Sequence, residues 1–214
     1  ELPGLDFIES YKRYYPKGQF ASYTLGYAKK TSEEDDTLVG EMGIEKQFDS
    51  LLKGTDGYIT YQKDLKGYKI AGTTPIQEEA IQGKDIYLTI DSNIQFFVDQ
   101  AINNADIDYD FEWFTFTVAD AKTGAILATA NSPSFDPNIR NISNYLDTLI
   151  SSPYEPGSTM KTYTYMAAIE NDVYDGSTTY QSGTYKTTDG TIIGDWDRNG
   201  WGMITFDRGY AMSS

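Results

Sequence analysis

Tyr154-Glu-Pro-Gly-Ser-Thr-Met-Lys161 sets a serine and a lysine three residues apart at the point where a helix should begin. That spacing puts both side chains on one helical face, so the amine can reach the hydroxyl and act as its base. Pro156-Gly157 interrupts the preceding chain, and residues 158–170 carry Met160, Tyr163, Ala167 and Ile169 near one side, as a helix would. A serine opening a helix faces unpaired backbone N–H groups and the positive end of the helix dipole, both able to stabilise an oxyanion. The bland alternative for Ser158 is an N-cap serine. A chain of this size also shows a Ser-x-x-Lys by chance, and Ser50-Leu-Leu-Lys53 is one. There the serine is placed near the end of a helix with Gly54 behind the lysine, where no free donors face it. Context rather than spacing singles out Ser158 and Lys161.

Working upstream, residues 131–157 read as a loop punctuated by Pro133, Pro137, Pro153 and Pro156. Before it, the aromatic and β-branched run 111–118 turns through Asp120-Ala-Lys-Thr-Gly124 and returns over 125–130, two antiparallel strands. Ile86-Tyr-Leu-Thr-Ile90 reads as a strand entering a helix capped by Asp91 or Ser92, with Ile94, Phe97, Val98, Ala101 and Ile102 on its buried face. Residues 44–52 form a short amphipathic helix stopped at Lys53-Gly54, and Tyr58-Ile-Thr-Tyr61 pairs as a hairpin with Tyr68-Lys-Ile70 about a turn at Lys66-Gly67. A mixed module over 1–80 and a second regime from 81 follow. Downstream of Asn171 the chain turns polar and Gly-rich, with no internal repeat.

Composition narrows the chemistry. The 214 residues suffice for a sizeable core, in one large or two modest domains. A formal charge of −15 disfavours nucleic acid, and the densest acidic run, residues 33–36, reads as a solvated loop. No cysteine is present, which excludes disulfides, thiolate catalysis and cysteine-ligated zinc within this chain, and no stretch has the length of a membrane span. No histidine is present either, so a Ser-His-Asp arrangement cannot be built and a serine nucleophile needs another base. Asp195-Trp-Asp-Arg-Asn-Gly200 matches the first half of a calcium loop, but Phe206 stands where the bidentate glutamate should be, so no metal site is assigned.

These blocks, in this order, resemble the penicillin-binding proteins, and among them class B, the monofunctional transpeptidases of septal or side-wall synthesis. Residues 154–161 resemble the nucleophile block of the Ser-x-x-Lys, Ser-x-Asn and Lys-Thr-Gly set. Residues 120–128 with Ser132-Pro-Ser-Phe-Asp-Pro137 resemble the opening hairpin and loop of the transpeptidase domain, and 40–45 with 52–57 are similar to the non-catalytic pedestal before it. The resemblance implies an α+β fold: a dimerisation-type pedestal over 1–80, then over 81–214 the truncated front of a β-lactamase-like domain with an antiparallel sheet flanked by helices. It implies Ser158 as acylated nucleophile, Lys161 as its base, Ser213 as the serine of Ser-x-Asn, and Trp196 as a substrate-packing residue whose alternative is a partly buried core aromatic. The chain departs from the pattern by closing at Ser213-Ser214, one residue before the asparagine, and its literal Lys122-Thr-Gly124 lies in a hairpin turn.

The function so implied is cross-linking of peptidoglycan stem peptides through an acyl-enzyme that β-lactam antibiotics also form, with no cofactor. Implied partners are a SEDS-type glycosyltransferase and other cell-wall synthesis proteins. The implied location is the extracellular face of the cell membrane, held by an N-terminal transmembrane helix outside this chain. Because the sheet supporting Ser158 should draw strands from further sequence, the 214 residues alone are expected to be incompetent. A Gram-positive source is suggested by the lack of cysteine and the look of residues 14–22. The rival readings are a hydrolase, either D,D-carboxypeptidase or β-lactamase, and a degenerate scaffold of a division or elongation complex.

Overall fold

Asp91 starts the longest helix of the computed structural model, which describes residues 10–32, 37–72 and 76–214; the acidic run at 33–36 lies outside them. Its carboxylate accepts from the amides of Asn93 and Ile94, satisfying donors that a helix start leaves unpaired. The chain divides into two compact units, Glu1–Ser152 and Pro153–Ser214.

The first unit begins with a short helix α1 (Ser22–Leu25), an antiparallel pair β1 (Ala28–Lys30) and β2 (Leu38–Gly40), and the helical turns α2 (Gly43–Gln47) and α3 (Asp49–Leu52). The single helix expected over 44–52 is thus broken at Phe48, though it stops as expected, with Gly54 in a left-handed conformation. Ser50 therefore sits early in α3 rather than near a helix end. Gly26 approaches the Met42 backbone so closely that a Cβ would collide with its carbonyl. Strand β3 (Tyr58–Thr60) pairs with β4 (Ile76–Glu78), not with residues 68–70. The expected turn exists, Gly67 N donating to Asp64 O, but Lys63 faces Lys69 across it. Residues 68–70 are therefore taken up by 62–64, and β3 lies further out along the same hairpin.

Helix α4 (Ser92–Asp108) packs on the antiparallel hairpin of β5 (Phe114–Ala119) and β6 (Ile126–Ser132). Val98, Ile102, Ala128 and Ala130 form its core, with Ile94, Phe114 and Val118 against them. The buried face is rotated from the expected stripe: Phe97 is 66% exposed, Ala101 is exposed, and Gln95 is fully buried. The cause is a pair of bonds that a polar residue alone supplies. The Gln95 carboxamide donates to Thr129 O (2.9 Å) and accepts from Thr129 N (2.8 Å), closing the outer edge of β6. Residues 86–90 do not form the expected strand. Only the Thr89 hydroxyl and the Asp91 amide reach β6, at Ile126 O and Leu127 O, so no ladder develops there.

The loop after β6 contains one helical turn, α5 (Thr148–Ser151), and folds back on residues 15–27. Phe135, fully buried, meets the edges of Tyr23 and Tyr27 at centroid distances of 5.1 and 6.4 Å. Asn138 pairs with both backbone polar groups of Tyr15, its Oδ1 accepting from Tyr15 N and its Nδ2 donating to Tyr15 O.

In the second unit a 3₁₀ turn, Gly157–Thr159, leads into α6 (Met160–Glu170). Four short strands follow: β7 (Thr179–Gln181), β8 (Thr184–Lys186), β9 (Ile192–Gly194) and β10 (Met203–Thr205), paired β7 with β10 and β8 with β9, before α7 (Phe206–Met212). The polar reading of this region missed these strands because each is three residues long, too short for a period to register. Met160, Tyr163, Ala167 and Ile169, read as lying near one side of α6, are exposed, whereas Lys161, Tyr165 and Ala168 are half-buried. Aromatic contacts set that orientation: Tyr165 lies 4.7 Å from Tyr210 and 5.4 Å from Tyr174 by ring centroid. Within α7, Gly209 is buried where the Tyr180 hydroxyl comes so close that a Cβ would collide with it.

Candidate active site

The second unit brings Ser158, Lys161 and Ser213 together. Ser158 lies in the 3₁₀ turn, exposed, and Lys161 one turn later, half-buried. The Lys161 Nζ is 3.4 Å from Ser158 Oγ, 3.3 Å from Ser213 Oγ and 2.6 Å from Ser213 O. The lysine amine therefore bridges the two serines, one from the turn before α6 and one from the cap of α7.

Helix α7 ends in a way that presents Ser213. Its backbone is left-handed (φ 56°, ψ 36°), Ser213 N donates to Tyr210 O (3.1 Å), and Ser214 N donates to Gly209 O (2.9 Å). This is the Schellman termination, in which glycine usually takes the left-handed position. The turn directs both the carbonyl and the hydroxyl of Ser213 to the lysine. Helix α7 is in turn held to α6 by Thr162 and Tyr210, whose hydroxyls lie 3.0 Å apart, and by the Tyr165 hydroxyl, which donates to Phe206 O (3.2 Å). At its start, the Tyr174 hydroxyl donates to Asp207 Oδ1 at 2.5 Å, and that bond raises its pKa to about 12.

The segment after β9 borders the same place. Trp196 is 73% exposed, its indole 5.5 Å from Trp201, and its N–H donates to Met212 O (3.0 Å). It is therefore a surface aromatic pinned beside Ser213, not a core residue. The Asp195 carboxylate, in a segment that has calcium-like spacing and also resembles one bordering the family's active-site cleft, accepts from the Gly183 amide and the Ser214 hydroxyl. Lys122-Thr-Gly124 forms the β5–β6 turn in the first unit, where Asp120 accepts from Lys122 N, Thr123 N and the Thr123 hydroxyl. No group of three or more metal-binding side chains occurs among the described residues.

Residues 114–214 match the family described as Penicillin binding protein transpeptidase domain, and residues 1–88 the Penicillin-binding Protein dimerisation domain. The chain belongs to the class B penicillin-binding proteins, as its resemblance implied, and the α+β fold agrees. It is 31% identical to Stage V sporulation protein D of Bacillus subtilis over 212 residues, covering 96% of this chain and 32% of the relative. It is 33% identical to the peptidoglycan D,D-transpeptidase FtsI of Escherichia coli K12, covering 81% and 29%. The solved structure of penicillin binding protein 2X from Streptococcus thermophilus superposes with a TM-score of 0.74 at 34% identity, covering 92% of this chain and 31% of that one. The chain thus spans about a third of the length of these curated relatives. Identity is nearly level between Bacillus and Escherichia, so similarity does not single out a Gram-positive source.

Proposed function

We propose that the protein is a serine D,D-transpeptidase that cross-links peptidoglycan stem peptides. The observation that carries this is the Lys161 amine lying between Ser158 Oγ and Ser213, a base within reach of a nucleophile in a chain without histidine. In the first step Ser158 Oγ attacks the carbonyl carbon between the two D-alanines of a donor stem. An ester bond forms, the C–N bond breaks, and the serine proton passes through Lys161 to the leaving D-alanine amine. In the second, an amine of a neighbouring stem attacks the ester, re-forming an amide and returning the proton to Ser158. Backbone N–H groups at the opening of α6 polarise the carbonyl, and Trp196 offers an exposed flat face beside the site.

A β-lactam would acylate the same serine. Names of relatives support this reading: FtsI carries the description peptidoglycan D,D-transpeptidase. The same family pattern supports a pedestal over 1–80 and the front of the transpeptidase domain over 81–214, the two family matches ending at 88 and starting at 114. With that reading we place the protein at the extracellular face of the cell membrane, beside a SEDS-type glycosyltransferase, as the family resemblance implies; among the described residues no helix is long and apolar enough to cross a membrane.

The test is the intact mass of the full-length protein before and after a β-lactam, with Ser158→Ala alongside. One adduct, absent in the variant and stable for many minutes, is expected. Rapid clearance would move the assignment to a hydrolase, and no adduct on folded protein would leave a scaffold.

A further inference from the structure

We infer that Asp195 is a positioning residue for Ser213, acting through Ser214; the inference rests on the transpeptidase reading above. Ser213 occupies a left-handed backbone that residues with a Cβ disfavour, so its neighbours must hold it there. Both flanking residues are held from one place. Trp196 Nε1 donates to Met212 O at 3.0 Å, and Ser214 Oγ donates to the Asp195 carboxylate, 2.9 Å from Oδ2 and 3.0 Å from Oδ1. Two consecutive residues therefore grip the chain on either side of the one facing Lys161.

The grip is itself anchored. Asp195 N donates to Gly183 O and Asp195 Oδ2 accepts from Gly183 N, both at 2.7 Å, which extends the β8–β9 ladder beyond the Thr184–Gly194 pair. Gly183 is buried and Asp195 half-buried. A carboxylate here accepts two charge-assisted bonds, one from the ladder and one from the end of α7. Position is thus transmitted from β8–β9 through Asp195 and Ser214 to Ser213, whose oxygens lie 2.6 and 3.3 Å from the Lys161 amine. Asp195 touches neither Ser158 nor Lys161 in the hydrogen bonds described, so its effect falls on the alignment of the amine.

The experiment follows acylation of the full-length protein by a fluorescent penicillin, separating the saturating rate constant from the half-saturating concentration. Asp195→Ala and Ser214→Ala are each expected to lower the saturating rate about tenfold, with the half-saturating concentration within about twofold of the parent. The double variant should be no slower than either single one, because both remove one contact. Asp195→Asn, which keeps an acceptor oxygen for the Ser214 hydroxyl, should recover to within about threefold of the parent. Ser214→Ala leaves the β8–β9 end untouched, so a misfolded Asp195→Ala does not block the test. Parental rates in Ser214→Ala and Asp195→Ala overturn the inference, as do an Asp195→Asn as slow as Asp195→Ala and losses that multiply in the double variant. An acylating parent with unaffected variants overturns this inference alone, whereas a folded parent that forms no adduct overturns the transpeptidase reading as well.

Discussion

Ser213 stands where glycine would sit without strain, yet it supplies a hydroxyl to Lys161. Ser213→Gly is therefore expected to raise stability by on the order of 1 kcal/mol, since glycine tolerates the left-handed backbone. In the proposed mechanism the same change should slow β-lactam acylation about tenfold or more, because it deletes one partner of the amine. Urea denaturation and stopped-flow acylation on the same samples would separate the two effects; a variant less stable and equally fast would refute both. That partner matters because the Lys161 amine lies within reach of Ser213 O, Ser213 Oγ and Ser158 Oγ at once, so the two Ser213 oxygens fix where the amine meets Ser158. Of these residues, Ser158 and Lys161 were legible from spacing and helix position, and Ser213 only from the family resemblance. Asp195 was visible but misdirected, because a carboxylate's local spacing gives no sign of a serine nineteen residues away.

Among the elements, α4 and the β5–β6 hairpin depend on one side chain that hydrophobic patterning cannot find. Gln95→Leu would keep the volume but leave Thr129 N–H and C=O without their partner at a buried edge. It should cost roughly 2–4 kcal/mol, measurable as a shift of the urea midpoint, whereas replacing exposed Phe97 should change little. The hairpin turn has a pH signature. Hydrogen bonds from the Thr123 hydroxyl and amide and the Lys122 amide lower the Asp120 pKa from its ordinary 3.8. A depressed folded value means the turn's contribution is fully present above 3.8 and lost as pH falls through the folded value. Following the Thr123 amide by NMR should show this acid transition, and Asp120→Ala should abolish it. The sequence disclosed α4, its Asp91 cap and this hairpin because each has a cap, a period or a turn residue to mark it. It missed the faces of α4 and α6, since a glutamine and a lysine took buried or half-buried places through bonds to partners distant in the chain.

For the whole chain, the two units differ in how they are held. The buried apolar side chains among the described residues all lie in the first unit, all but Ala21 around Val98 and Ile102 or around Phe135. The second is held by contacts between half-buried and exposed aromatic rings and by hydrogen bonds, a weaker basis for stability. Hydrogen exchange on the 214-residue chain should accordingly be faster at the amides of α6 and α7 than at those of α4 and β6, and equal protection would contradict this account. The resemblance to a known family spoke to order along the chain and to class, while this division of stability is visible only in burial. Within the second unit, the 2.6 Å contact between Lys161 and the Ser213 carbonyl joins residues 52 positions apart and turns the chain between them into a closed circuit. The cost of such a closure grows only slowly with the length enclosed. The exposed turn at 187–190, on the far side of that circuit, can therefore grow or shrink among descendants of this sequence while the two ends stay fastened.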